Sequence, residues 1–220
     1  MRLLPLTITA RAASWRLDAA DPAGGQAHAA LARDARTCRF CGLPAGRWAE
    51  VFHLDGDHAH DAPDNLAAAC PHCHACQHLG RETAGQEYLL VWLPELTQAA
   101  LNHLARGIHR AFHAHGEAPC PEAKPSRDVS RLRSAYTAYR ALAARAALAE
   151  QRLGTSSPRV LGEALLGLSR PAAGRAPALV DGLRLLPRGR LIRGGADVYP
   201  DCLKDWAKAP ASSEASDVAR

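Results

Sequence analysis

Two Cys-x2-Cys pairs in one short window constrain this chain more than any other feature. Cys38 and Cys41 form the first pair. After 28 intervening residues Cys70 and Cys73 form the second, with Cys76 three positions further on. A structural zinc ion takes four soft or borderline ligands in tetrahedral geometry, and a CxxC knuckle aims both of its sulfurs at one point. Two knuckles at this separation predict a closed four-cysteine site holding one structural Zn2+. A redox dithiol uses one such pair, not two. Seven cysteines, an odd number, with no secretory signal argue against a disulfide framework. Spacing alone leaves the second pair open, because Cys73-x2-Cys76 is also a CxxC. Cys120, in a Pro-flanked loop, and Cys202 are assigned no role.

Composition narrows the class. The chain is 47% hydrophobic and 22% charged, which excludes wholesale disorder and fibrous structure. Its 220 residues suffice to bury a core without staples. There is no run of about 18 apolar residues, so direct membrane insertion is not expected. The N-terminus MRLLPLTITARAASW lacks a proper apolar region followed by a cleavage site, which points to a cytoplasmic protein. The net charge of +5 is uneven: six Arg and one Asp between Arg170 and Arg193 supply all of it. Such a stretch reads as solvated or protein-docking. It permits nucleic acid as a partner without demanding it.

Between the knuckles the sequence from Glu50 to His78 reads EVFHLDGDHAHDAPDNLAAACPHCHACQH. It resembles the HNH endonuclease family, a ββα-metal fold on a Cys-knuckle scaffold. The matching features are a strand ending in His53, the turn Asp55-Gly56-Asp57, Asn65-Leu66, and a second CxxC beginning five residues after the Asn and followed by His74. That Asn-to-Cys spacing selects Cys70 and Cys73 over Cys76. The resemblance implies a strand-borne general base at His53, an orienting residue at Asn65 and a helix metal ligand at His74, acting with a divalent cation on a phosphodiester. It also implies a second ligand just before the base. That position holds Phe52, which cannot ligate a metal. His53, Asn65 and His74 are therefore expected to be vestigial, and no enzymatic activity is expected. Metal-dependent DNA cleavage is the alternative function, and a zinc module that binds DNA without cutting it is a third.

A narrower resemblance covers roughly residues 1–168. RTCRFCG, FHLDGD, DNLAAAC, the third Cys after CPHC, the run LPEL-x-Q-x2-LN-x-L from residue 93 and the later G-T-S-x-P element are similar to the IcmJ/DotN family of type IVB secretion systems. The resemblance implies a non-catalytic, zinc-stabilised adaptor subunit. It would bind the C-terminal extension of the coupling ATPase, alongside other coupling-complex subunits, for effector protein export in secretion or a related conjugation apparatus. It would be cytoplasmic and peripherally associated with the inner membrane. Nucleic acid is not expected as a partner.

The expected fold is α+β: a small four-cysteine zinc-knuckle, HNH-like (ββα) core with additional strands and a C-terminal helical half. Residues 1–93 are expected to form the zinc module with an N-terminal strand (4–10) and helix (26–35). Residues 50–54 and 87–93 read as strands, the former pairing near Cys41. Residues 94–168 are expected to form a helical region packed on that module. One helix opens at Pro94 with Leu101, Leu104, Ile108 and Phe112 on its apolar face. A second runs from 126 to about 152, and a third from 158 to 168. His103, His109 and His113 read as a solvated helix face. Residues 169–220 are expected to be an Arg-rich, largely disordered tail.

Overall fold

The first knuckle is reached through a helix that cannot continue. In the computed structural model, which describes residues 2–11, 24–119, 129–169 and 176–208, α1 (Gly25–Arg33) buries Ala27, Ala30 and Leu31. Ala35 and Arg36 then adopt left-handed conformations, φ 48° and 50°, and swing the chain into the knuckle. Asp34 fixes that exit. Its carboxylate accepts from the Arg33 and Arg39 guanidinium groups and from the Ala68 N–H. Burial works to raise the Asp34 carboxyl, but these donors outweigh it and hold it below its ordinary value.

β1 (Glu50–His53) pairs antiparallel with β2 (Leu66–Ala69), with Glu50 opposite Ala69 and His53 opposite Leu66. All eight positions are buried, so neither strand alternates apolar and polar residues. The expected pairing of β1 near Cys41 is replaced by this hairpin. Asn65 closes a 3-10 turn (Pro63–Asn65) that feeds β2, and the short α2 (Pro71–His74) follows.

α3 (Ala84–Glu87) leads into β3 (Tyr88–Trp92), which pairs antiparallel with β4 (Leu183–Pro187). This pairing overturns the expectation of a largely disordered tail from residue 169. Gly182, at φ +83°, lies where a Cβ would sit 2.8 Å from the Trp92 ring, so the entry to β4 accepts only glycine. β5 (Ile192–Arg193) and β6 (Ala196–Asp197) form a small hairpin. A helix over Tyr199–Lys208 then buries Tyr199, Cys202, Leu203 and Trp206. The composition was misleading because four of the six Arg, at 184, 188, 190 and 193, share the segment with a buried apolar set: Val180, Leu183, Leu185, Leu186 and Leu191.

α4 (Gln98–Ala114) begins four residues after Pro94, because Thr97 is the effective cap: its Oγ1 accepts from the Ala100 N–H at 3.1 Å. Leu101, Ile108 and Phe112 are buried as expected, but Leu104 is 42% exposed. The long second helix is two helices, α5 (Ser130–Ala144) and α6 (Ala146–Leu153). The break falls where the Arg145 carbonyl accepts from the Trp92 N–H of β3. α7 (Pro158–Leu166) is capped by Ser157. In chain order the short helix before β4 is α8 (Ala176–Val180) and the last is α9 (Tyr199–Lys208).

The expected N-terminal strand has no ladder. Residues 2–11 lie across the zinc module, held by the Leu4 N–H on the Arg39 carbonyl and the Thr9 N–H on the Cys76 carbonyl. The architecture is α+β, with three two-stranded sheets among the described residues. None of the described helices is long and apolar enough to cross a membrane.

Candidate metal centre and its histidine neighbours

The two knuckles bring Cys38, Cys41, Cys70 and Cys73 together, with their Sγ atoms within 4.8 Å of one another and all four residues buried. Each knuckle is shaped by backbone bonds. Gly42, at φ +71°, donates to the Cys38 carbonyl at 2.8 Å, and Cys73 and His74 both donate to the Cys70 carbonyl. A tetrahedral zinc with Zn–S of about 2.3 Å requires Sγ–Sγ separations of about 3.8 Å. Cys41 Sγ and Cys70 Sγ are 3.7 Å apart, so the donor set fits that ion in both chemistry and spacing.

The thiols conflict with one another as they stand. Burial opposes ionising Cys38, but hydrogen bonds from Cys41, Cys70 and Cys73 outweigh it and hold that thiol well below its ordinary value. Hydrogen bonding to Cys38 and Cys41, reinforced by burial, pushes Cys70 and Cys73 well above theirs. A divalent cation removes this competition by stabilising all four thiolates at once. Asn102 on α4 donates to Cys73 Sγ at 3.3 Å, the kind of outer contact that orients a ligand.

Cys76 lies outside the cluster. Its Sγ is 3.8 Å from the His72 carbonyl, and burial raises its thiol strongly. Cys202, on α9, is buried, and Cys120 lies outside the described residues.

The three residues singled out by the HNH resemblance sit close by. His53, at the end of β1, is fully buried; its Nε2 is 2.9 Å from Asp61 Oδ1, and its Nδ1 is buried without a hydrogen-bond partner. Asn65 does not orient the His53 side chain. It ties the turn together instead, donating to Asp55 Oδ1 and to the His60 carbonyl, while its Oδ1 accepts from the Asp55 N–H. His74 Nδ1 is 2.8 Å from Glu50 Oε2. Phe52 fills its position with a ring, tilted against Phe40 at 4.5 Å between centroids. Gly56, at φ +73°, makes the sharp turn between these parts.

The trio is surrounded by further ionisable groups. His58 stacks on His53 with ring centroids 4.5 Å apart, and its pKa is lowered to about 4 by burial and by the nearby His53 and His74. His78 Nε2 is 3.0 Å from His74 Nε2. Arg193, from the supposed tail, reaches Glu50 Oε1 at 2.6 Å and the buried Glu87 at 3.5 Å. Burial opposes ionising Glu50, yet His74 and Arg193 together lower it to about 2. The available signal was Glu50 and Glu87 themselves, carboxylates at the entry of apolar strands that needed a cation from elsewhere.

Of the three helix histidines, His109 departs from a solvated face: it is fully buried with Nδ1 2.7 Å from the Tyr199 hydroxyl. His103 is exposed, with Nε2 2.6 Å from the Cys41 carbonyl, and His113 is half-buried.

The chain is 30% identical over 159 residues to the Type 4 apparatus protein DotN of Legionella pneumophila subsp. pneumophila (strain Philadelphia 1), a match spanning 70% of this chain and 68% of that protein. This chain belongs to the DotN family. No family model matches it. Within a DotN family member, the four-cysteine cluster, the Asn102 contact to it and the buried histidine group beside it form one continuous structure between the β1–β2 hairpin and α4.

Proposed function

We propose that this protein is a zinc-stabilised, non-catalytic adaptor subunit of a type IVB secretion apparatus, or of a related conjugation apparatus. It would bind the C-terminal extension of the coupling ATPase on the cytoplasmic side of the inner membrane. The observation that carries this reading is the similarity to DotN along most of both chains. The four-thiol cluster supports a scaffold role for one zinc ion, held by Cys38, Cys41, Cys70 and Cys73. Phe52 supports the absence of catalysis, because an aromatic ring stands where the nuclease resemblance needs a ligand.

The docking surface fits the helical half best. Leu104 on α4, Val129 at the start of α5, and Val160 and Leu166 on α7 are exposed apolar residues there. A disordered segment of the ATPase that folds on binding would bury such residues and take its ordering cost at that step. The experiment is co-purification with the coupling ATPase's C-terminal region. Binding should survive His60→Ala and weaken at least tenfold with Leu104→Glu or Val160→Glu. Loss of binding from the turn variant alone, with folding intact, would move the interface to the β1–β2 turn. Nicking of supercoiled plasmid with Mg2+ or Mn2+ that vanishes on His53→Ala would replace the adaptor with a nuclease.

A further inference from the structure

A cleft opens where the α5–α6 break meets the β3–β4 sheet, and it carries positive charge that the chain itself leaves unanswered. We propose that this cleft binds an acidic peptide segment of a partner protein, with one carboxylate on Arg140, another on Arg188 and an apolar side chain seated between them.

The charge pattern is the first argument. No Asp or Glu occurs in α4, α5, β3 or β4, nor between the end of β4 and Ala196. The same stretches place Arg110, Arg131, Arg133 and Arg140 on exposed helix positions. The arginines of the sheet are mostly engaged. Arg184 donates to the Leu96 and Leu183 carbonyls, Arg190 faces Asp197 at 3.5 Å, and Arg193 is held by Glu50 and Glu87. Arg140 and Arg188 differ: among the described residues neither guanidinium meets a carboxylate or a carbonyl. A guanidinium stays protonated throughout the physiological range, so this charge is permanent.

The second argument is the shape between them. Arg140 comes from α5 and Arg188 from the end of the sheet, and both line one cleft of about 350 Å3. Its floor is Leu89 of β3, with Ala143 and Ala146 on either side of the helix break, all three half-buried. The small alanines leave the room, and the apolar floor gives a side chain between two carboxylates somewhere to be buried. The frame is fixed before binding. The Arg188 N–H donates to the Glu87 carbonyl at 2.8 Å, carrying the strand pairing one residue past Pro187, and the Tyr139 hydroxyl donates to the Pro187 carbonyl at 3.5 Å.

The chemistry selects the occupant. A planar guanidinium takes a carboxylate through two parallel N–H···O bonds. The cleft's one aromatic residue, Tyr139, is buried, so no ring is offered for a nucleobase to stack on. Inorganic phosphate would answer the charge but leave the apolar floor uncovered.

The test is fluorescence anisotropy on the full chain, with a fluorescein-labelled dodecapeptide of Glu, Leu and Ala as the probe. Saturable binding of one peptide per chain is expected, weakening as salt is added. The same peptide with Gln in place of every Glu should not bind. Arg140→Glu and Arg188→Glu should each weaken binding about tenfold, and Arg110→Glu, outside the cleft, should change it by less than about twofold. The double variant Arg140→Glu/Arg188→Glu should gain affinity for a peptide with Lys in place of Glu, a reversal that a merely structural role would not produce. Thermal melts check that each variant is folded. Absence of wild-type binding, equal binding of the Gln peptide, or an equal loss with Arg110→Glu overturns the proposal. So does tighter binding of phosphatidylglycerol vesicles through the same two arginines, which would make the occupant a membrane. None of these results bears on the ATPase reading, which rests on the similarity to DotN.

Discussion

Asn102 Nδ2 donates to Cys73 Sγ across 3.3 Å, coupling α4 directly to the second knuckle. Asn102 is fully buried, and its Oδ1 accepts from Gln98 Nε2. Asn102→Ala should lower stability by about 1–2 kcal/mol through the lost bond and the unpaired Gln98 donor, while zinc content stays at one in the cysteine site. Cys73→Ser should be far worse. Structural zinc supplies on the order of 10 kcal/mol of folding free energy, so elemental analysis should show loss of the ion together with loss of the thermal transition.

Arg193→Ala tests the link between the C-terminal segment and the hairpin. It leaves Glu50 and Glu87 buried without their shared cation, which should cost about 2–4 kcal/mol in denaturant melts at pH 7. Because Glu50 is depressed to about 2 in the folded chain, its contribution is present above the ordinary carboxylate range and is lost as pH falls through about 2. The deficit of Arg193→Ala should therefore shrink in strong acid.

His109 predicts a separate slope at milder pH. Burial lowers its pKa to about 3, so the unfolded chain takes up a proton below about 6.5 that the folded chain refuses. The folded state loses ground as pH falls from about 6.5 towards 3, by about 2 kcal/mol at pH 5 from this residue alone. His109→Gln should flatten the stability profile between pH 7 and pH 5 by that amount, as measured by urea melts at each pH.

Trp206→Ala checks that the last helix is part of the core. Trp206 is buried, and its Nε1 donates to the Ala45 carbonyl beside the first knuckle at 3.3 Å. A loss of about 3–5 kcal/mol is expected, against almost none if residues beyond 198 were a solvated appendage.

The knuckles were legible in the sequence because their information is local: a Cys spacing, a Gly in the turn and a Pro opening α2. The helices were legible in type but not in bounds, because the decisive contacts are distant. Thr97 capping displaced the start of α4, and the long helix divides at Arg145, whose carbonyl accepts from the Trp92 N–H of β3 as well as from the Ala149 N–H. The pairing of β3 with β4 was hidden because no periodic signal joins strands so far apart, and the Arg content masked the apolar residues between. The stacking of His58 on His53, five positions earlier, could not be read from the sequence, because only the folded turn lays the rings together.

The partner of β3 is synthesised about ninety residues after it. A nascent chain can close both knuckles as soon as Cys73 has left the ribosome, yet Tyr88–Trp92 waits, apolar and unpaired, until Pro187 follows. Slow, non-local strand pairing of this kind exposes an edge that invites wrong associations during synthesis. A chain arrested before residue 183 would still be sticky, so production of this protein should depend on chaperone capacity late in translation as well as on zinc supply.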